Sequence, residues 1–377
     1  MLPNSPLPRR LDLANGPIFC VEGLAMRSLI RKDRPMTEPR ALRRRTLLAA
    51  SAGLAAPGLL RGARAATPDT VRVGYFVSTD PTMLAKGNGW FEQGTGGKIA
   101  WNEAGSGAEI NTAMAAGSLD FGLGIGSSPV AAGISLRLPY KLIGMVNNIG
   151  GGEEMTVRKA ANITKPADFI GKKVATPFGS TSHFRLLGFL AVNHLKQGQV
   201  TVLDMNPDAI VAAWSRAEID AAYVWPPAKS KLLTDGGIVY DTWQPLDKAG
   251  YDIANLIIVS DAFAKKYPDA VVGFLKAYGR ALDEYQTHPD AAVKVIAQQA
   301  GVPEPTAMAD IKEYDFIPLK AQLGPDWLGS AGHPGKFIDV LHRTAEFLVR
   351  QRSIARAPGP QAFAAGTDTS FAARAAG

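Results

Sequence analysis

Residues 104–132, AGSGAEINTAMAAGSLDFGLGIGSSPVAA, decide the fold, reading in turn as loop, helix, short strand, loop and helix. Ser106-Gly107 sits where a helix N-cap belongs, residues 108–116 form the helix and Gly117 stops it. Residues 119–125 alternate apolar side chains with glycine, as a buried strand can. Ser127 and Ser128 then cap a helix that carries Pro129 at its first position, where proline is favoured. Two Gly/Ser loops at helix N-termini offer backbone N–H groups, hydroxyls and positive dipole ends to an anion. Taken one at a time, each also reads as an ordinary helix cap.

Outward from this stretch the same alternation continues. Strands are expected at residues 71–77, 99–103, 140–146, 155–159, 173–176, 200–203, 221–225 and 256–259. Helices are expected at 181–194, 207–214 and 268–286, and the chain beyond 286 is helical at 291–299, 305–313 and 336–350. Strands alternating with helices argue for an α/β protein with mainly parallel sheets. From residue 355 the sequence is rich in Ala, Gly and Pro with little periodicity, which predicts a loosely ordered tail over 351–377.

The start of the chain has a different character. Arg43-Arg44-Arg45-Thr46 precedes an apolar run over 47–60 and then Ala63-Arg64-Ala65. Basic, apolar and small-residue regions in that order predict a twin-arginine export signal, with residues 1–65 as leader. The run is too short, and too broken by Pro57 and Gly58, to span a membrane. Met36 is a candidate start, with 1–35 an untranslated extension. The leader holds 12 of the 41 basic and four of the 34 acidic residues. What remains has 29 basic against 30 acidic residues, a formal net charge of −1, so the basic whole-chain balance is no argument for nucleic acid. Cys20, the only cysteine, lies in the leader, so the mature chain is expected to have no disulfide, thiolate nucleophile or sulfur-bound metal. About 310 remaining residues exceed one ordinary core and suggest two lobes.

Several catalytic patterns are missing. Gly122-x-Gly124-x-Gly126 lacks the acidic residue some 20 positions on that a dinucleotide site requires, having Val146 and Asn147 there. The five histidines show no metal-ligand spacing, and no G-x-S-x-G elbow accompanies Ser182 and His183. His183 reads as a pocket-wall or capping residue. No cofactor and no metal are expected.

The blocks S-G-A-x-I, A-A-G-S-L-D-F-G and G-S-S-P within 106–129 resemble the periplasmic substrate-binding proteins for taurine and other alkanesulfonates. So do TPFGSTSHFRLLGFL at 176–190, AIVAAWSRAEIDAAYVWPPA at 209–228, and the K-P-x-D-x-I-G-K-x-V-A pattern within 159–176. The resemblance runs from about residue 71 to 350. It implies a two-lobed, Venus-flytrap fold, each lobe a mainly parallel sheet with helices on both faces. Lobe one would be 66–154 plus 255–350, and lobe two 155–254. It further implies a periplasmic, monomeric subunit of an ABC importer. That subunit would bind a small organic sulfonate and deliver it to a permease and, through it, an ATPase. A binding protein for another anion or a pyrimidine precursor, or a secreted enzyme of the same fold, are the alternatives.

Ligands of such sheets sit beyond the carboxyl ends of the strands. The candidate site is therefore Asp80, Ser106, Ser127, Ser128, Glu154, Thr181, Ser182, His183, Trp225 and Asn255. Gly179-Ser180-Thr181-Ser182 mirrors Gly126-Ser127-Ser128 in the other lobe, so two caps would share the sulfonate oxygens. Trp225, held by Pro226 and Pro227, would wall the cleft. Asp80 and Glu154 are the candidate acids for a ligand ammonium. Asn255 stands where the family usually has an aspartate, with Asp252 three residues away.

Overall fold

The structure is a computed structural model and describes residues 67–377, so the expected leader lies outside the described residues. Two sheets organise it. The first contains β1 (Thr70–Tyr75), β2 (Lys98–Glu103), β3 (Phe121–Gly126) and β4 (Tyr140–Asn148). The second contains β5 (Glu154–Arg158), β6 (Lys173–Thr176), β7 (Thr201–Asp204), β8 (Ala221–Val224) and β9 (Gly237–Tyr240). The chain then returns to the first sheet through β10 (Ala254–Ser260) and the short β11 (Asp315–Phe316). The strand orders are β11-β4-β10-β3-β1-β2 and β7-β6-β8-β5-β9.

Most strands of each sheet point the same way, and the exceptions are the crossing strands and the short β11, which is antiparallel to β4. β5 is antiparallel to β8 and β9, and β10 is antiparallel to β3 and β4. The reason is geometric. Parallel strands end at the cleft, whereas a strand entering its lobe from the cleft must run away from it.

Each sheet is buried on both faces, as the period-two alternation requires. On β10, Ile257 and Val259 join the core with Phe91, Phe121 and Phe274, while Leu256 and Ile258 join the core with Val130 and Leu341. On β8, Ala221 and Tyr223 face one core and Ala222 and Val224 the other. A fifth apolar cluster spans the crossings, joining Ile149 and Ile253 to Phe184 and Leu187 of one lobe and Phe347 and Leu348 of the other.

The expectation of a loosely ordered tail is corrected. Helices Pro360–Ala365 and Ser370–Ala376 end the chain, with Phe363 and Phe371 buried in the two cores of the first lobe. Two phenylalanines anchor a segment whose Ala/Gly/Pro composition hides them. The tail also covers an exposed sheet edge: the Leu142 N–H donates to the Gly366 carbonyl at 2.9 Å, and the Asp368 N–H to the Leu142 carbonyl at 2.8 Å.

Candidate functional site

The loops that follow the cleft-facing strand ends enclose one cavity, with about 510 Å³ of empty space including its mouth. β1 delivers Phe76, Ser78 and Asp80, β3 delivers Gly124 and Gly126, and the loop after β8 delivers Trp225. Glu153, Ser180, Thr181, Asn255 and Tyr314 complete the polar wall. Phe76 and Trp225 meet edge to face across the cleft, centroids 5.7 Å apart at 83°.

The two lobes approach closely because glycines stand at the contact. A Cβ on Gly126 would lie 2.6 Å from Thr181 Cγ2, and one on Gly179 would lie 2.7 Å from the Ala108 Cβ. Gly179 also holds φ +71°, a backbone region L side chains rarely adopt. Helix ends from both lobes thus meet at the cavity.

Those ends differ in how they are capped. Helix Gly107–Ala115 is capped by Ser106, whose Oγ accepts from the Glu109 N–H at 3.3 Å. Helix Ser127–Ser135 has Gly126 at its N-cap and no side chain capping it. This corrects the expected Ser127/Ser128 cap, since β3 runs straight into the helix and places Ser127 inside it. The Ser127 Oγ instead accepts from the Ala254 N–H at 3.3 Å, tying the helix to the returning strand.

Helix Thr181–Val192, in the second lobe, carries an anion of the protein's own. Thr181 Oγ1 donates to Glu153 Oε1 at 2.7 Å and Ser182 Oγ to Glu153 Oε2 at 2.8 Å. Glu153 is buried, and burial pushes its carboxyl above the usual range. The two hydroxyls and the charges of Arg185 and Lys229 oppose that shift. Asp80 is the second buried acid. Its Oδ1 accepts from the Thr82 N–H at 2.8 Å and Thr82 Oγ1 at 2.5 Å, and burial again raises its pKa against those bonds. Among the described residues, neither lysine nor arginine lines the cavity.

Of the ten residues singled out from sequence, Asp80, Thr181, Trp225 and Asn255 line the cavity. Asn255 Nδ2 donates to Asn147 Oδ1 at 3.2 Å, while Asp252 is turned away and paired with Arg343 at 3.6 Å. Ser106 and Ser127 are used in structural bonds, and Ser182 lies behind Thr181 against Glu153. Ser128 and His183 face a separate apolar groove with Leu136, Phe178 and Leu348. His183 stacks on Phe178 at 4.3 Å, its Nδ1 accepts from the Gly179 N–H at 3.3 Å, and burial lowers its pKa to about 4.

Glu154 is replaced by its neighbour. Successive residues of an extended chain point to opposite sides, so with Glu153 in the cavity Glu154 faces the surroundings of Lys229 and Asp241. Sequence reasoning missed Glu153 and Tyr314. The adjacent acids at 153 and 154 were the available signal, and only strand register separates them.

Residues 78–292 match the family profile described as NMT1/THI5 like. The taurine-binding periplasmic protein of Escherichia coli (strain K12) is 33% identical over 290 residues, covering 75% of this chain and 87% of the relative. A putative aliphatic sulfonates-binding protein of Bacillus subtilis (strain 168) is 30% identical over 295 residues, covering 75% and 82%. The fold is shared with the alkanesulfonate-binding protein SsuA from Xanthomonas axonopodis pv. citri bound to MOPS. That structure has a TM-score of 0.67 and 24% identity, covering 81% of this chain and 99% of the other. By profile, identity and coverage, this chain belongs to the NMT1/THI5-like family.

Proposed function

We propose that this protein is the periplasmic solute-binding subunit of an ABC importer, and that it captures taurine or another short alkanesulfonate carrying an amine. One observation carries the choice of ligand: the cavity sets helix N-termini beside two buried carboxylates, and among the described residues no lysine or arginine lines it. The sulfonate sits at the ends of helices Gly107–Ala115 and Ser127–Ser135, where backbone N–H groups and dipoles hold an anion without the desolvation of a buried lysine. The ammonium sits on Glu153 and Asp80, which otherwise remain buried carboxylates with no facing charge in the cavity. An anion without an amine meets the same carboxylates, offset only in part by Arg185 and Lys229 at Glu153, which ranks the other-anion reading second.

Binding closes the two lobes, and the closed form docks on the permease, which the ATPase drives. The protein acts as a monomer exported by the twin-arginine route, and no bond of the ligand is made or broken. The sequence relatives above are binding proteins, which supports that reading. Calorimetric titration tests it. Taurine is expected to bind about ten- to a hundredfold tighter than ethanesulfonate at neutral pH, the worth of one hydrogen bond between charged groups. Equal affinities would sink the amine assignment, and mass analysis of taurine changed after incubation would make the protein an enzyme.

A further inference from the structure

Beside the crossing segment, polar side chains also tie the lobes together. Lys229 and Ser230 belong to helix Ala228–Thr234 of the second lobe. Lys229 Nζ donates to Glu313 Oε2 at 2.6 Å and to the Gly151 carbonyl at 3.0 Å. Ser230 Oγ donates to Asp310 Oδ1 at 2.5 Å. Asp310 belongs to helix Glu304–Ile311 of the first lobe, and Glu313 follows it just before β11. The side chain of Lys229 is only 1% exposed although its partner is 36% exposed.

We infer that these two pairs form an interlobe latch that holds part of the ligand-free population closed and so sets the affinity for every ligand alike. The physical reason is the cost of a buried ammonium. With Glu313 in place, Lys229 is satisfied when the lobes are shut. Without it, Lys229 recovers hydration only by opening. The latch is also wired to the cavity by short covalent steps. Trp225 precedes Lys229 by four residues, Tyr314 directly follows Glu313, and Glu153 lies two residues beyond Gly151. A ligand that seats Trp225 and Tyr314 therefore places both halves of the latch.

The affinity arm of this inference rests on the sulfonate reading; the conformational arm does not. Small-angle scattering of the ligand-free mature protein is expected to give a larger radius of gyration for Glu313→Ala and Ser230→Ala than for wild type. Apparent affinity scales with the closed fraction, so both variants are expected to bind taurine and ethanesulfonate roughly tenfold more weakly, by the same factor for each. That shared factor separates a latch from a pocket residue, which changes the ratio between ligands. Glu313→Gln keeps the shape and removes the charge, and replaces Glu313→Ala should that variant fail to fold. Unchanged scattering, or a loss confined to one ligand, overturns the latch. Failure of every sulfonate to bind would sink the proposed function while leaving the scattering result to decide the latch.

Discussion

The two lobes present helix ends of nearly the same sequence to one cavity, yet the ends have opposite electrostatic character. Gly126-Ser127-Ser128 leads into a helix whose first turn has no side-chain cap. Gly179-Ser180-Thr181-Ser182 leads into a helix whose first two hydroxyls grip the Glu153 carboxylate. On the proposed reading, one end is left for an external anion, whereas the other is occupied from within by Glu153 and presents negative charge to a cation. A short Gly/Ser motif thus specifies a donor cluster, and what faces that cluster specifies the ligand's charge.

Removing the internal anion would make the two ends alike, and should have the largest effect. Glu153→Gln is expected to weaken taurine about a hundredfold while leaving ethanesulfonate equal or tighter, measured by calorimetric titration. A uniform change for both ligands would mean that Glu153 shapes the loop rather than reading the amine.

Acidification attacks the same contrast reversibly. Burial raises the carboxyls of both Glu153 and Asp80 above the usual range, so they take up protons before ordinary surface carboxyls do. The folded state then binds more protons than the unfolded one in that window. The ligand-free protein is accordingly expected to gain stability as pH falls through the raised values, and to lose it as pH rises through them. Taurine affinity should move the other way, dropping roughly tenfold as pH falls through the raised values, while ethanesulfonate holds or improves. Melting curves with and without each ligand check both signs. Parallel behaviour of the two sulfonates would remove the carboxylates from ligand recognition.

Smaller changes sharpen the comparison. Thr181→Ala deletes one of the two hydroxyl donors to Glu153 and is expected to cost taurine about three- to tenfold, with Thr181→Ser restoring most of it. Ser128→Ala is expected to change either affinity by less than about twofold, because that hydroxyl faces the apolar groove and the backbone N–H survives. A tenfold loss in Ser128→Ala would show that the open end recognises its anion through side chains after all.

Much of the fold was readable because local chemistry was consistent with it. Apolar patterning over 71–77, 119–125 and 256–259 gave β1, β3 and β10, and the Ser106 cap and Gly117 stop bounded a helix as expected. β9 escaped notice because Gly237–Tyr240 is a short edge strand with Ile238 and Val239 exposed, so no buried alternation marks it. The packed tail escaped for a related reason, since Phe363 and Phe371 are isolated apolar residues in a low-complexity background.

The sequence by itself determined most of the elements and the small-residue loops at the cleft, through periodicity and capping chemistry that act over a few residues, while chain length and the family resemblance implied the two lobes. Tertiary structure alone decided which loop residue faces the cavity. Glu153 rather than Glu154 enters the cavity because the extended chain there alternates sides, and Thr181 answers to Glu153 across 28 residues of sequence. The charge that the cavity presents arises between segments distant in the chain, where no local pattern registers it.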